Sequence, residues 1–178
     1  VPSSALRILR EAELGQLERL KWEAPSLGGE VCEAVAAARS MGALRELMLP
    51  SCSITREEVR ALVGAEHLSG LRTLGLEDNR VGVEGVELLV GEEAPWRELK
   101  SLHLQYNHLP SLAMRVVARG SLTSLTELIW GSNGEDPLGV YLLAASFPEL
   151  GSRSSRFLAV RNKGARGYLE DALEGLEA

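Results

Sequence analysis

Aromatic residues are scarce in this chain, 4% of 178 positions, so aliphatic side chains must fill any interior it builds. Cysteine is scarcer. Cys32 and Cys52 are the two present, and neither belongs to a CxxC pair, so a disulfide framework of the small secreted kind is excluded. A reducing compartment, and with it an intracellular and cytoplasmic location, is the simpler reading. No apolar run approaches the roughly 20 residues that a helix needs to cross a bilayer, so a membrane partner is not expected. The N-terminus, Val1-Pro2-Ser3-Ser4, has neither an initiator Met nor an apolar signal segment. It reads as that of a processed product or a piece of a longer chain. Basic residues are outnumbered, 19 against 25 acidic, for a formal net charge of -6. Phosphate recognition draws mainly on Lys and Arg, so nucleic acid is disfavoured. A basic or mixed protein surface suits the balance better, although the same charge serves ordinary solubility.

What the chain has instead is leucine in register. Four stretches align as Leu44-R-E-Leu47-M-Leu49-P-S-Cys52-S-Ile54, Leu71-R-T-Leu74-G-Leu76-E-D-Asn79-R-Val81, Leu99-K-S-Leu102-H-Leu104-Q-Y-Asn107-H-Leu109 and Leu125-T-E-Leu128-I-Trp130-G-S-Asn133. The first three fit L-x-x-L-x-L-x-x-N/C-x-L at every fixed position. The fourth departs at its last slot, where Glu135 replaces an aliphatic residue. A weaker copy runs Leu17-E-R-Leu20-K-Trp22-E-A-Pro25-S-Leu27. The starts at Leu17, Leu44, Leu71, Leu99 and Leu125 are spaced 27, 27, 28 and 26 residues apart.

Each fixed slot has a physical reason. Leu47 and Leu49, like their counterparts, lie two apart and share one face of a short strand. Asn79, Asn107 and Asn133 fall where the chain leaves the strand, and their amides can bond peptide groups that the bend strips of partners. Cys52 fills that slot as a small buried residue with a weak donor. Pro25 offers no side-chain donor, so the first turn must be built differently. A helical stretch follows each turn. Thr55 and Glu58 have capping-box spacing, and Val59, Leu62 and Val63 give an apolar helical face. Val86 and Leu89, Met114 and Val117, and Val140 and Leu143 take the same places later. In the first repeat those places go to Val31, Cys32 and Val35. Asp136-Pro137 reads as an N-cap followed by proline in the first turn. Both cysteines thus occupy core slots and read as buried free thiols. Trp22 and Trp130 fall on inward strand slots near the ends of the stack, and Trp96 is expected to cover a loop edge.

With this period and a helix in each repeat, residues 17–150 resemble the ribonuclease-inhibitor-like class of leucine-rich repeat proteins. That class includes the ribonuclease inhibitor, the Ran GTPase-activating protein, tropomodulins and the sensor domains of NOD-like receptors. The resemblance implies an α/β solenoid, a curved stack with a concave parallel sheet and convex helices. It is silent on function, because such proteins bind unrelated partners through unrelated residues. Three regions are expected. Residues 1–16 form an N-terminal helix, a cap or truncated repeat with Leu6, Leu9 and Leu14 inward over residues 3–14. Residues 17–150 are five repeats. Residues 151–178 are a degenerate repeat or C-terminal cap, with a strand at 156–160, an amphipathic helix carrying Tyr168, Leu169, Ala172, Leu173 and Leu176, and a basic run read as solvated loop charge or a docking patch.

A solenoid sheet leaves one face open, and the outward strand residues become the candidates for recognition. They are Arg19, Lys21 and Glu23; Glu46, Met48 and Pro50; Thr73, Gly75 and Glu77; Ser101, His103 and Gln105; and Glu127, Ile129 and Gly131. Met48 and Ile129 are apolar where solubility alone would favour charge, Gly75 should leave a shallow dip, and Tyr106 is of the kind enriched in hot spots. The candidate partner-binding set is therefore Met48, Glu77, His103, Gln105, Tyr106 and Ile129, and the idle-surface reading stands beside it.

Chemistry is less well supported. His67, His103 and His108 lack Cys, Asp or Glu at metal-ligand spacing, and no HExxH, G-x-S-x-G or phosphate loop appears; Gly82-V-E-Gly85 belongs to a repeat turn. No metal or cofactor is expected, and no enzymatic activity. The function read from the sequence is protein–protein interaction on the concave sheet. The alternatives are a structural segment of a longer scaffold or receptor, and a GTPase-activating regulator for which Arg80 beside Asn79 is the one suggestive placement.

Overall fold

The computed structural model describes residues 6–9, 12–25, 27–147 and 158–159. Its strands are short because each of the first five repeats contributes just the three residues around its central leucine, and the sixth strand has two. They are β1 (Arg19–Lys21), β2 (Glu46–Met48), β3 (Thr73–Gly75), β4 (Ser101–His103), β5 (Glu127–Ile129) and β6 (Leu158–Ala159), paired in sequence order as one parallel sheet. The register stacks like on like. Leu20, Leu47, Leu74, Leu102, Leu128 and Leu158 form one row. Beyond the strands the ladder continues, with Leu49 N, Leu76 N and Leu104 N donating to Gly75 O, His103 O and Ile129 O at 2.8–2.9 Å.

Parallel strands need a crossover, and five helices supply it: α1 (Gly28–Ala37), α2 (Arg56–Val63), α3 (Gly82–Val90), α4 (Leu112–Arg119) and α5 (Pro137–Ser146). Each packs on the next. Their buried sides carry the expected residues, Val31, Cys32 and Val35, then Val59, Leu62 and Val63, Val86 and Leu89, Met114 and Val117, Val140 and Leu143. Helix α2 starts in a full capping box, with Thr55 N donating to Glu58 Oε2 at 2.7 Å. Burial pushes the Glu58 carboxyl up, but the bonds from the Thr55 hydroxyl and from backbone amides outweigh it and hold it below its ordinary value. Asp136 caps α5 by accepting from Gly139 N at 2.5 Å. That bond leads the causes that lower its own pKa.

The asparagines tie one repeat to the one before it. Asn79 Oδ1 accepts from Cys52 N at 3.0 Å and Ile54 N at 2.9 Å, while its Nδ2 donates to Leu49 O and Glu77 O. Asn133 repeats the pattern on Asn107 N, Leu109 N, Leu104 O and Trp130 O. All three asparagines are buried, so these bonds replace water that the turn peptides have lost. Just before each slot the chain takes a left-handed residue: Ser51, Asp78, Tyr106 and Ser132, at φ between 53 and 62°.

Several expectations are corrected. Trp96 does not cover a loop edge; it is fully buried, its indole N–H donating to Leu89 O at 3.0 Å. Trp130 is fully buried, but Trp22, beside the edge strand β1 of the described sheet, is partly exposed. The helix expected over residues 3–14 is helical at 6–9, where Leu6 and Leu9 are buried, but not at 12–14. There Ser40 Oγ bridges Ala12 O and Leu14 N, and Leu14 packs on the core from an irregular segment. Cys32 and Cys52 are buried free thiols whose ionisation burial opposes. Apart from β6, the C-terminal region 151–178, with its expected helix and basic run, lies outside the described residues.

Candidate partner-binding face

The helices cover one face of the sheet and leave the other open. Side chains on a strand alternate between faces, so with Leu20, Leu47, Leu74, Leu102 and Leu128 turned into the core, their neighbours form two parallel rows on the open face. One runs Arg19, Glu46, Thr73, Ser101, Glu127, and the other Lys21, Met48, Gly75, His103, Ile129. A third row lies at the strand exits. Asp78 N donates to Gln105 O and Ser51 N to Glu77 O, so Pro50, Glu77 and Gln105 continue the register.

The structure therefore sets Met48, His103 and Ile129 in a single row with Gly75 between the first two. Glu77 and Gln105 sit next to each other one step along, and Tyr106 lies at the turn beyond. Met48, Glu77, His103, Gln105 and Ile129 are each half-buried, whereas Tyr106 is 57% exposed. The tyrosine stands in the left-handed slot, at φ 59°, a conformation that costs an L residue about 1 kcal/mol or more. Its ring projects from the turn and not from the sheet.

Two features of this face differ from the sequence expectation. The dip at Gly75 is filled: the Met48 thioether and Glu77 Oε2 occupy the space where a Cβ would sit. A flexible thioether from the neighbouring strand simply lies over the missing side chain. His103 also meets neighbours on the sheet itself and not only solvent or a partner. Its Nε2 lies 2.9 Å from Ser101 Oγ, which in turn hydrogen-bonds Glu127 Oε2, and its side chain is 17% exposed. Serine, histidine and glutamate thus meet across two repeats, a grouping with no sequence signal because Glu127 is 26 residues from Ser101. It is not a nucleophile triad. A triad places the carboxylate on the imidazole nitrogen opposite the serine, whereas here Ser101 and Glu127 both face Nε2.

Charge is uneven along the face. At its N-terminal end Arg19 pairs with Glu46 at 3.7 Å, and Lys21 is exposed beside them. The open-face positions of β3 to β5, with Gln105 and Glu77 one step beyond, carry Glu77 and Glu127 and no Lys or Arg. Among the described residues, no three His, Cys, Asp or Glu side chains converge as a metal site would require.

A second feature lies at the strand exits, a cleft of about 250 Å³ lined by Pro25, Ser51, Ser53, Asp78, Asn79, Arg80 and His108. Ser51 Oγ donates to Asp78 Oδ2 at 2.7 Å and Ser53 Oγ to Pro25 O at 2.8 Å. Arg80 is exposed and forms no ion pair with the described residues. His67 is remote from both features, its Nε2 3.1 Å from Val35 O.

The sheet, its repeat register and the helix in each crossover define a leucine-rich repeat solenoid. No protein-family model matches the chain. No curated protein matches it either. Among solved structures, the tropomodulin C-terminal domain of Caenorhabditis elegans is similar at 17% identity over 97% of this chain and 90% of that one, with a TM-score of 0.49. Among the described residues, no helix is long and apolar enough to cross a membrane.

Proposed function

We propose that this chain is a protein-interaction module, without catalytic activity of its own, that holds a protein or peptide partner on the open face of its sheet. The observation that carries this reading is the row Met48, Gly75, His103, Ile129, flanked by Glu77, Gln105 and Tyr106. Met48, His103 and Ile129 stand on strands whose other face is the core, and Glu77 and Gln105 continue their register, so these side chains are held in place before a partner arrives, which lowers the ordering cost of binding. Apolar side chains among polar ones and an exposed tyrosine match the make-up of interface centres. The acidic balance favours a protein over a nucleic acid, and two buried free thiols fit an intracellular setting. The period of 26–28 residues and the full helix per repeat support placement in the ribonuclease-inhibitor-like class.

The test is affinity capture followed by titration of the captured partner against variants. Met48→Ala, Ile129→Ala and Tyr106→Ala should each weaken binding about ten-fold or more, while Glu87→Ala on the outer side of α3 should not. Unchanged affinity in all three open-face variants overturns the reading. A segment that only spaces repeats elsewhere in a longer protein would show no exchange protection on this sheet when the full-length chain binds.

Arg80 favours a second reading, since an exposed guanidinium at a polar cleft, with no ion pair among the described residues, is placed as an arginine finger would be. Single-turnover GTP hydrolysis by a captured GTPase, compared between the wild type and Arg80→Ala, decides it. Equal rates remove this reading.

A further inference from the structure

We propose that the filled gap over Gly75 is a receptor for one cationic side chain, arginine or lysine, of the partner segment, with Met48 as its displaceable cover and Glu77 and Gln105 as its acceptors. This rests on the open face being the binding face.

Four observations lead there. Gly75 is the one position without a side chain among Lys21, Met48, Gly75, His103 and Ile129, with two occupied positions on either side. The atoms over it are Met48 Cε, Met48 Sδ and Glu77 Oε2, so a carboxylate oxygen lies beside a thioether. Glu77 Oε2 is shielded from solvent and receives no hydrogen bond from the described residues, and the same holds for Gln105 Oε1 on the adjoining repeat. Finally, the surrounding face offers no Lys or Arg from β3 to β5, and His103 is turned toward Ser101 and Glu127.

A shielded acceptor without a donor is costly, and more so when it belongs to a carboxylate. Its cover is the most easily moved kind, since methionine is unbranched and has three rotatable bonds. An apolar side chain entering the gap would leave both acceptors unpaired, and an anionic one would be repelled by Glu77. A cation satisfies both oxygens, and the guanidinium fork can reach two acceptors at once, so arginine is favoured over lysine.

The experiment uses the whole chain labelled with 13C at its methionine methyls and titrated with N-acetyl-arginine methylamide. The lysine, glutamate and norleucine analogues serve as comparators. Met41 and Met114 are fully buried and act as internal references. The Met48 methyl should shift saturably with the arginine probe, less with lysine, and not with glutamate or norleucine. Glu77→Gln should weaken the arginine probe about ten-fold, and Gly75→Ala, whose Cβ fills the gap, should abolish the shift. Glu87→Gln on the helical side should change nothing. Thermal melts of each variant show that it is folded. The proposal is overturned if Met48 does not respond to arginine, responds equally to norleucine or glutamate, or responds unchanged in Glu77→Gln. A protein that captures its partner through Tyr106 and Ile129 while Met48 stays unmoved loses this pocket and keeps the binding face. Loss of partner binding by none of the open-face variants removes the face itself.

Discussion

In the middle of the stack, the turn at Asn107 is held by four hydrogen bonds from one side chain. Its Oδ1 accepts from Val81 N at 3.0 Å, and its Nδ2 donates to Leu76 O, Leu104 O and Gln105 O at 2.7–3.3 Å. At the N-terminal end the same slots hold Pro25 and Cys52, and the bonding is sparser. Cys52 Sγ donates to Pro50 O at 3.2 Å and Trp22 O at 3.4 Å, where an asparagine amide would reach. It accepts nothing from the preceding turn, and the reason lies in that turn. Proline has no N–H to offer, and Leu27 N is already bonded to Ala24 O. The two departures from the pattern therefore compensate each other: a slot that must only donate can be filled by a thiol. The C-terminal departure is different. Glu135 takes the slot of Ile54, Val81 and Leu109, its Oε1 is buried without a donor among the described residues, and burial pushes its carboxyl above the ordinary value. Among the described residues nothing offsets that cost.

The largest effect expected from this contrast is at the middle. Asn107→Ala should destabilise the protein by about 3 kcal/mol or more, since it leaves several buried peptide groups unpaired. Denaturant melts measure it, and a loss no greater than that of Cys52→Ala would break the comparison. Next in size, and opposite in sign, Glu135→Leu should stabilise by about 1–2 kcal/mol at neutral pH. Because the folded pKa of Glu135 is raised, its ionised form is the unfavourable one, so lowering the pH protonates it and relieves the wild type. The gap between Glu135→Leu and wild type should therefore shrink as the pH falls into the carboxylate range, as melts across that range would show.

Cys52→Ala should cost about 1 kcal/mol, and Cys52→Asn should gain little while Pro25 remains, because its added acceptor has no proline N–H to meet. A clear gain from Cys52→Asn alone would overturn the compensation argument. An effect of similar size separates turn from helix within the second repeat. Thr55→Ala should cost about 1 kcal/mol through the lost cap. The folded pKa of Glu58 is lowered, so its contribution is full above the ordinary carboxylate range and is lost as the pH falls through the lower folded value. In Thr55→Ala that acid sensitivity should be reduced, which acid titration of stability would show.

Most of the core was legible because its signals are local. Leu47 and Leu49 share a strand face by a spacing of two, Val59 and Val63 share a helix face by a spacing of four, and Thr55 with Glu58 mark a helix start within three residues. The repeat then multiplies each signal, which is why the solenoid could be read before any coordinate. Trp96 was misplaced because its burial depends on reaching the carbonyl of Leu89 from outside the repeat pattern. The candidate face was legible as a list and not as an arrangement. Gly75 reads as a dip until Met48 from the adjacent strand lies over it, and His103 reads as one outward residue among others until Ser101 and Glu127 come alongside. Tyr106 stands out by its chemistry, while its left-handed backbone has no composition cue.

The sequence by itself determined the period, the inward leucines, the asparagine turns and the helix caps, because each depends on neighbours a few residues apart and on a pattern repeated every 26–28 residues. The tertiary structure decided everything that depends on two repeats meeting. That includes the thiol that suffices because a proline precedes it by one repeat, the carboxylate stranded in an aliphatic slot, and the thioether that closes a glycine gap. Side chains about 27 residues apart are neighbours in a solenoid, and their contacts are set by register and rotamer, which no local pattern records.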